Sequence, residues 1–192
     1  KEDNGGRRKI SKRKDPEAAA RFFAEEGYPA DCVMEYLMTI ASSDYEDWRR
    51  RNPDAPRSAY PFNLKKMSPS GALFDADKLN DVSKNVIGRM DAETVTAAVL
   101  EWAAAYAPDF YALLSRDPAY ARGIFSIDRG GPKPRKDLAK WADAPDYAAY
   151  YFDESFSGAF ELPENIDPAD AVAILQAYRE VYDPSLDKQA WF

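Results

Sequence analysis

Along most of this chain apolar positions recur every three or four residues, a spacing that predicts helices joined by short connections. Asp15-Pro16-Glu17 reads as a helix start, with an acid at the cap and proline at the first helical position. That helix carries Ala18, Phe22 and Phe23 to a stop at Gly27. From Pro29, the residues Val33, Met34, Tyr36, Leu37, Ile40 and Ala41 predict a second helix with one buried face. Asp44 opens a short third helix holding Trp48 and Arg49, Arg50 and Arg51. Residues 56–73 are irregular, with Phe62 and Leu64 in one short strand. Residues 77–90 place Leu79, Val82, Val86 and Ile87 on one face, and Asp75 stands as the cap. Asp91 caps the next helix, whose stripe is Val95, Ala98, Val99, Trp102 and Ala103. Residues 108–114, 118–127, 135–141 and 145–152 predict shorter helices. The strongest pattern begins at Asp167-Pro168 and predicts a buried face of Ala171, Ile174, Leu175, Tyr178, Val181 and Tyr182. Residues 186–192 open one more helix, and residues 2–6 read as loop. The fold class is all-α, helical arrays packed side by side.

Composition supports this pattern. Ala, Glu, Lys, Arg and Leu outnumber Val and Ile. At 192 residues the chain is long enough to bury a core. No apolar run reaches membrane-spanning length, and residues 1–14 are too polar for a secretory leader. The single Cys32 excludes an internal disulfide framework and a multi-cysteine zinc site, which points to the cytoplasm. There is no histidine. Ser-His-Asp triads, Cys-His dyads and histidine-metal sites are thereby excluded, and no metal site is expected.

Charge is distributed unevenly. The chain carries −7 overall, yet residues 1–14 carry a net +5 and the remainder −12. A basic arm on an acidic body suits an anionic ligand met at one place; the competing reading is a solvated basic terminus. Within the arm, Lys9-Ile10-Ser11-Lys12-Arg13 sets two ammonium groups three positions apart in a polar stretch. Compact charges on flexible stems suit a mobile loop that closes on phosphate as negative charge builds up. Ser11 can bond phosphate or its own backbone, and Ile10 can anchor the loop. The arginines 49, 50 and 51 point about 100° apart on a helix and do not face one ligand together. A second basic cluster, Arg129, Lys133, Arg135, Lys136 and Lys140, is interleaved with Trp141, Tyr147, Tyr150 and Tyr151. Such a mixture suits unstacked single-stranded bases, or else is a basic linker beside an aromatic core.

K-I-S-K-R resembles the K-M-S-K-S motif of class I aminoacyl-tRNA synthetases. The segments after it are similar to those of the glutamyl-tRNA synthetase family. These are Glu26-Gly27-Tyr28-Pro29 with Val33-Met34-Glu35-Tyr36-Leu37, then Ser70-Gly71-Ala72-Leu73-Phe74-Asp75-Ala76-Asp77-Lys78-Leu79-Asn80, then Lys133-Pro134-Arg135-Lys136-Asp137-Leu138 with Tyr150-Tyr151-Phe152. Glu35 stands where that family usually has Asn. The resemblance covers most of residues 9–155; beyond it only helical character and Trp191-Phe192 match.

The resemblance implies a C-terminal portion of a bacterial-type glutamate–tRNA ligase that begins just before the lysine loop. Residues 1–16 would end the catalytic domain, 17–128 would form a helical stem-contact domain, and 129–192 would begin a cage-like helical anticodon-binding domain, with the break at residues 130–134. The H-I-G-H partner motif has no counterpart, so the ATP-binding Rossmann body would lie upstream. Lys12 would be the main ATP contact and catalytic residue, Lys9 would assist, and Ser11 and Arg13 would complete the ATP-binding set. Arg129, Lys133, Arg135, Lys136 and Lys140 would meet tRNA. The parent enzyme would use ATP and Mg²⁺ and act as a monomer on tRNA(Glu), with tRNA(Gln) as a second candidate. This chain alone would bind neither cofactor and would be inactive, its lysine loop a loose stretch. The alternative function is a non-catalytic helical RNA-binding or adaptor module with a basic arm.

Overall fold

The computed structural model describes residues 1–3, 6–67, 71–131, 133–156 and 161–186. Asn4, Gly5, Ser70, Pro132 and the expected last helix from residue 187 on, with Trp191 and Phe192, lie outside these residues. The chain divides into two compact units, residues 1–156 and 157–192. Among the described residues the structure is helical apart from one hairpin, as the hydrophobic spacing predicts. The hairpin pairs β1 (Glu2–Asp3) with β2 (Gly6–Arg7), antiparallel, where a plain loop was expected.

In the first unit the helices are α1 (Ala20–Glu25), α2 (Ala30–Ala41), α3 (Tyr45–Arg51), α4 (Ala76–Ile87), α5 (Ala92–Tyr106), α6 (Pro108–Ser115), α7 (Pro118–Ser126) and α8 (Ala144–Ala148). The core forms where α5, α6 and α7 pack together. Val95, Val99 and Ala103 of α5 are fully buried against Phe110, Leu114, Ala121, Ile124 and Phe125. Burying each such valine contributes about 2 kcal/mol relative to leaving it exposed. Asp75 and Asp91 cap α4 and α5 as expected, accepting from the N–H groups of Lys78 at 3.1 Å and Thr94 at 2.7 Å.

α2 packs on α4, and here the expected face is rotated. Cys32, Glu35 and Tyr36 are buried, whereas Met34 and Leu37 face outward. The cause is a paired charge: Glu35 accepts from Tyr45 Oη at 2.7 Å and Arg49 Nη2 at 2.5 Å, so a carboxylate is buried in preference to methionine. The Cys32 thiol, fully buried with Sγ 3.9 Å from the Ser83 carbonyl, is pushed up to about 12 by burial.

Two local expectations fail. Phe62 and Leu64 form no strand; Asn63 accepts from the Lys65 N–H at 3.0 Å and starts a 3₁₀ turn at Leu64–Lys66. Residues 135–141 form no helix. The Asp143 carboxylate takes the N–H groups of Ala139 and Lys140 at 2.9 and 3.2 Å, and a 3₁₀ turn, Trp141–Asp143, follows. Leu138 and Trp141 thereby enter the core. The compact unit runs straight across the break at residues 130–134.

Gly27 locks the start of the body to this segment. Its φ is +78°, and a Cβ there would stand 2.8 Å from Trp141 Cβ and 2.9 Å from Trp102 Nε1. The Gly27 carbonyl accepts from the Trp141 N–H at 2.9 Å.

In the second unit α9 (Pro168–Val181) forms where expected, capped by Asp167, which accepts from the Ala169 N–H at 2.8 Å. Its apolar face is not buried: Ile174 is 67% exposed and Leu175 60%. Periodicity fixes which residues share a face, whereas burial needs an opposing surface.

Candidate functional site

The lysine stretch is a closed turn rather than a loose loop. The Ser11 carbonyl accepts from the Lys14 N–H at 3.0 Å and the Asp15 N–H at 2.8 Å, which folds residues 11–15 back on themselves. Ser11 Oγ accepts from the Arg13 N–H at 3.4 Å, the backbone alternative expected of it. Ile10 is half-buried, while Lys9, Lys12, Arg13 and Lys14 are exposed.

The brace of this turn is Asp15. Its expected role was to cap the helix ahead, but it makes no side-chain cap. The carboxylate points backward. Oδ2 accepts from Arg8 Nη1 at 2.6 Å and from the Ser11 N–H at 2.8 Å, and Oδ1 accepts from Arg8 Nη2 at 2.5 Å. Lys1 Nζ lies 3.3 Å from Oδ1 and also pairs with Glu17. The side chain is completely buried, and the Arg8 fork, followed by the Ser11 N–H, holds its carboxyl far below the usual carboxylate range. Without a side-chain cap the chain makes only a 3₁₀ turn at Pro16–Ala18 and restarts as α1 at Ala20. Nothing in the sequence pattern singled out this clasp, because Arg8 read as one more positive charge and Asp15 as a routine cap. The backward spacing of a carboxylate four residues after Ser11 was the available signal.

The second basic cluster is not one surface. Lys133, Arg135 and Lys136 are exposed, with Arg135 Nε 2.6 Å from Asp137 Oδ2. Arg129 turns inward: Nε donates to the Phe125 carbonyl at 2.7 Å and Nη1 to the Ile87 carbonyl at 2.8 Å, tying the end of α7 to the end of α4. Lys140 pairs with Glu26, its ammonium 5.8 Å from the centre of the Tyr28 ring. Among the nearby aromatics Tyr150 is 54% exposed and meets Tyr151 at a tilt of 35° with ring centres 4.2 Å apart, while Trp141 is core.

The arginines of α3 diverge as their spacing requires. Arg49 goes inward to Glu35, Arg50 pairs with Asp47 at 3.1 Å, and Arg51 Nε donates to the Asp47 carbonyl at 3.1 Å. A cleft of about 900 Å³ is lined by Arg49, Arg57 and Arg89. Arg49 pairs with Glu35, Arg57 lies 3.3 Å from Asp31, and Arg89 is exposed. The cations of the lysine turn also face solvent. Among the described residues no group of three or more acidic, histidine or cysteine side chains is placed to hold a metal ion. No helix among them is long and apolar enough to cross a membrane.

No protein-family model and no solved structure matches the chain. Curated proteins do. The chain is 45% identical over 196 residues to a glutamate–tRNA ligase of Clostridium perfringens (strain 13 / Type A), an alignment that covers 100% of this chain and 36% of that protein. It is 45% identical over 190 residues to the glutamate–tRNA ligase of Acetivibrio thermocellus, covering 99% of this chain and 35% of the relative. With the glutamate–tRNA ligase of Sorangium cellulosum it shares 43% identity over 188 residues, covering 97% and 33%. The chain therefore spans about a third of the length of the relatives it matches. Along its whole length the chain is similar to one stretch, about a third, of these glutamate–tRNA ligases.

Proposed function

We propose that the chain is the part of a glutamate–tRNA ligase that carries the lysine loop and the helices meeting tRNA. The parent enzyme joins the glutamate α-carboxylate to the α-phosphorus of ATP with loss of pyrophosphate, then passes the glutamyl group to the tRNA 3′ end with loss of AMP. The observation that carries this reading is the exposure of Lys12 and Arg13 on one hydrogen-bonded turn, with Lys9 exposed just before it, in a chain similar to these ligases from end to end. ATP, with Mg²⁺, supplies the activating adenylyl group when bound. Lys12, assisted by Lys9, neutralises charge on the phosphates, while Ser11 and Arg13 complete the contact.

Residues 17–128 meet the tRNA stem, and residues 129–192 begin the anticodon-binding region. Lys133, Arg135 and Lys136 face the RNA backbone, while Arg129 is held by the Phe125 and Ile87 carbonyls and Lys140 by Glu26. The partner is tRNA(Glu), with tRNA(Gln) as the alternative, and the enzyme works as a cytoplasmic monomer. These 192 residues alone are inactive, since they contain no counterpart of H-I-G-H. The test is Lys12→Ala in the full-length protein. Adenylate formation, followed as ATP–pyrophosphate exchange with tRNA present, is expected to fall by about 10²-fold or more with little change in tRNA binding. An unchanged exchange rate would remove Lys12 from the mechanism.

A further inference from the structure

We infer that Asp15, with Arg8, is a positioning clasp that sets the conformation of the lysine turn, so that Lys12 works only while the Asp15 carboxylate holds the main chain of Ser11. The inference rests on the proposed role of that turn in binding ATP. Four observations support it. The Asp15 side chain is fully buried, although the turn it serves is exposed. Both of its oxygens are occupied by the two arms of the Arg8 guanidinium, at 2.6 and 2.5 Å. Such a bidentate fork fixes orientation as well as distance. Oδ2 also accepts the Ser11 N–H at 2.8 Å, placing one backbone atom of the motif directly on the clasp. Finally, Asp15 leaves its own helix without a side-chain cap in order to do this, a local conflict of the kind that marks functional positions.

Lys12 and Arg13 lie between the two residues the clasp joins, Ser11 and Asp15, and Lys9 directly follows Arg8. Lys12 and Arg13 ride on the five residues from Ser11 to Asp15, whose two ends meet at the Asp15 carboxylate, and Lys9 lies between Arg8 and Ser11, which the same carboxylate holds. Releasing it leaves the ammonium groups present but misplaced. A misplacement of about 1 Å at a charge-stabilising group costs on the order of 10²-fold in rate. Asp15 touches neither substrate nor reacting atoms in this scheme and acts through Lys12.

The test uses the full-length ligase and ATP–pyrophosphate exchange, resolved into kcat and KM for ATP, with tRNA affinity and melting temperature measured alongside. Asp15→Ala is expected to lower kcat/KM for ATP by about 10²-fold while tRNA affinity stays within about twofold. Added to Lys12→Ala, it should cause a far smaller further loss than it does alone, because the main cation it positions is gone. Asp15→Asn keeps an oxygen for the Ser11 N–H and should lose about tenfold or less. That variant and Arg8→Lys carry the test if Asp15→Ala does not fold. The exchanged pair Arg8→Asp with Asp15→Arg should not recover activity, since a guanidinium cannot accept the Ser11 N–H. The inference is overturned by unchanged kcat/KM in Asp15→Ala, by a multiplied loss in the double variant, by a parallel loss of tRNA binding, or by recovery in the exchanged pair. If Lys12→Ala itself leaves exchange intact, the reading of the turn fails. If Lys12→Ala is crippled and Asp15→Ala is not, only the clasp fails.

Discussion

Two buried carboxylate–arginine pairs stand out among the described residues, and they serve different neighbourhoods. Glu35 on α2 takes the Arg49 guanidinium and the Tyr45 hydroxyl, and Arg49 then donates onward to the carbonyls of Asn52 at 3.1 Å and Ala55 at 2.5 Å. Trp48 covers the same guanidinium, 4.9 Å from its ring centre. Every contact of that network ends inside the scaffold, joining two helices to the loop that follows. Asp15 takes the Arg8 fork in the same manner and also meets Lys1 Nζ, but its Oδ2 accepts from the Ser11 N–H as well, and the residues beyond Ser11 are exposed cations. An ion pair alone therefore does not identify a site. What the spare hydrogen-bonding capacity of the carboxylate holds is the more informative property.

The largest effect that would sharpen this contrast is on stability. Glu35→Ala leaves a mostly buried guanidinium without its carboxylate and is expected to cost about 3 kcal/mol, read as a lowered urea midpoint. Asp15→Ala should instead affect pyrophosphate exchange far more than the midpoint. If both variants mainly lose stability, the two pairs are the same kind of device and the contrast disappears.

A smaller effect separates capping from clasping. Asp15-Pro16 and Asp117-Pro118 look alike in sequence, yet Asp117 accepts from the N–H groups of Ala119 and Tyr120, both at 3.0 Å. Asp117→Ala is expected to cost about 1 kcal/mol in a denaturation experiment through loss of that cap. A cost near zero would mean that the Asp-Pro starts differ less than their geometry indicates.

The smallest effect is on acid stability. The Lys66 ammonium, and after it the Tyr60 hydroxyl, hold the Asp44 carboxyl at about 2, below the usual carboxylate value. A depressed folded-state value stabilises the protein above the unfolded value. That contribution is present in full above a pH of about 4 and is lost as pH falls from there toward 2. Acid unfolding followed by circular dichroism should lose stability less steeply over this window in Asp44→Asn. Parallel curves would show that the pair adds nothing to folding.

How much of this was legible beforehand depended on the range of the interaction. Caps at Asp75, Asp91 and Asp167 and the stripe of α5 follow from neighbours within a turn or two, and they were readable. The rotated face of α2 was not, because it turns on Glu35 meeting an arginine 14 residues away. α9 shows the same boundary from the other side: its stripe was readable as a pattern, but what faces it was not. In the candidate site the motif and its exposed lysines were legible, whereas the brace was hidden because capping and clasping use the same residue at the same place. In the basic cluster at residues 129–140 the orientation of each side chain was not legible, since charge counting cannot distinguish a cation that faces solvent from one that binds carbonyls, as Arg129 does.

Cys32 has a practical consequence for spectroscopy and crosslinking. It is the single cysteine of the chain, fully enclosed, and burial pushes its thiol up to about 12, which disfavours the reactive thiolate. Maleimides and disulfide reagents therefore meet an essentially silent background. A thiol introduced on the lysine turn or at Lys136 can be tagged alone, with the native residue left in place to fill its own space between α2 and α4.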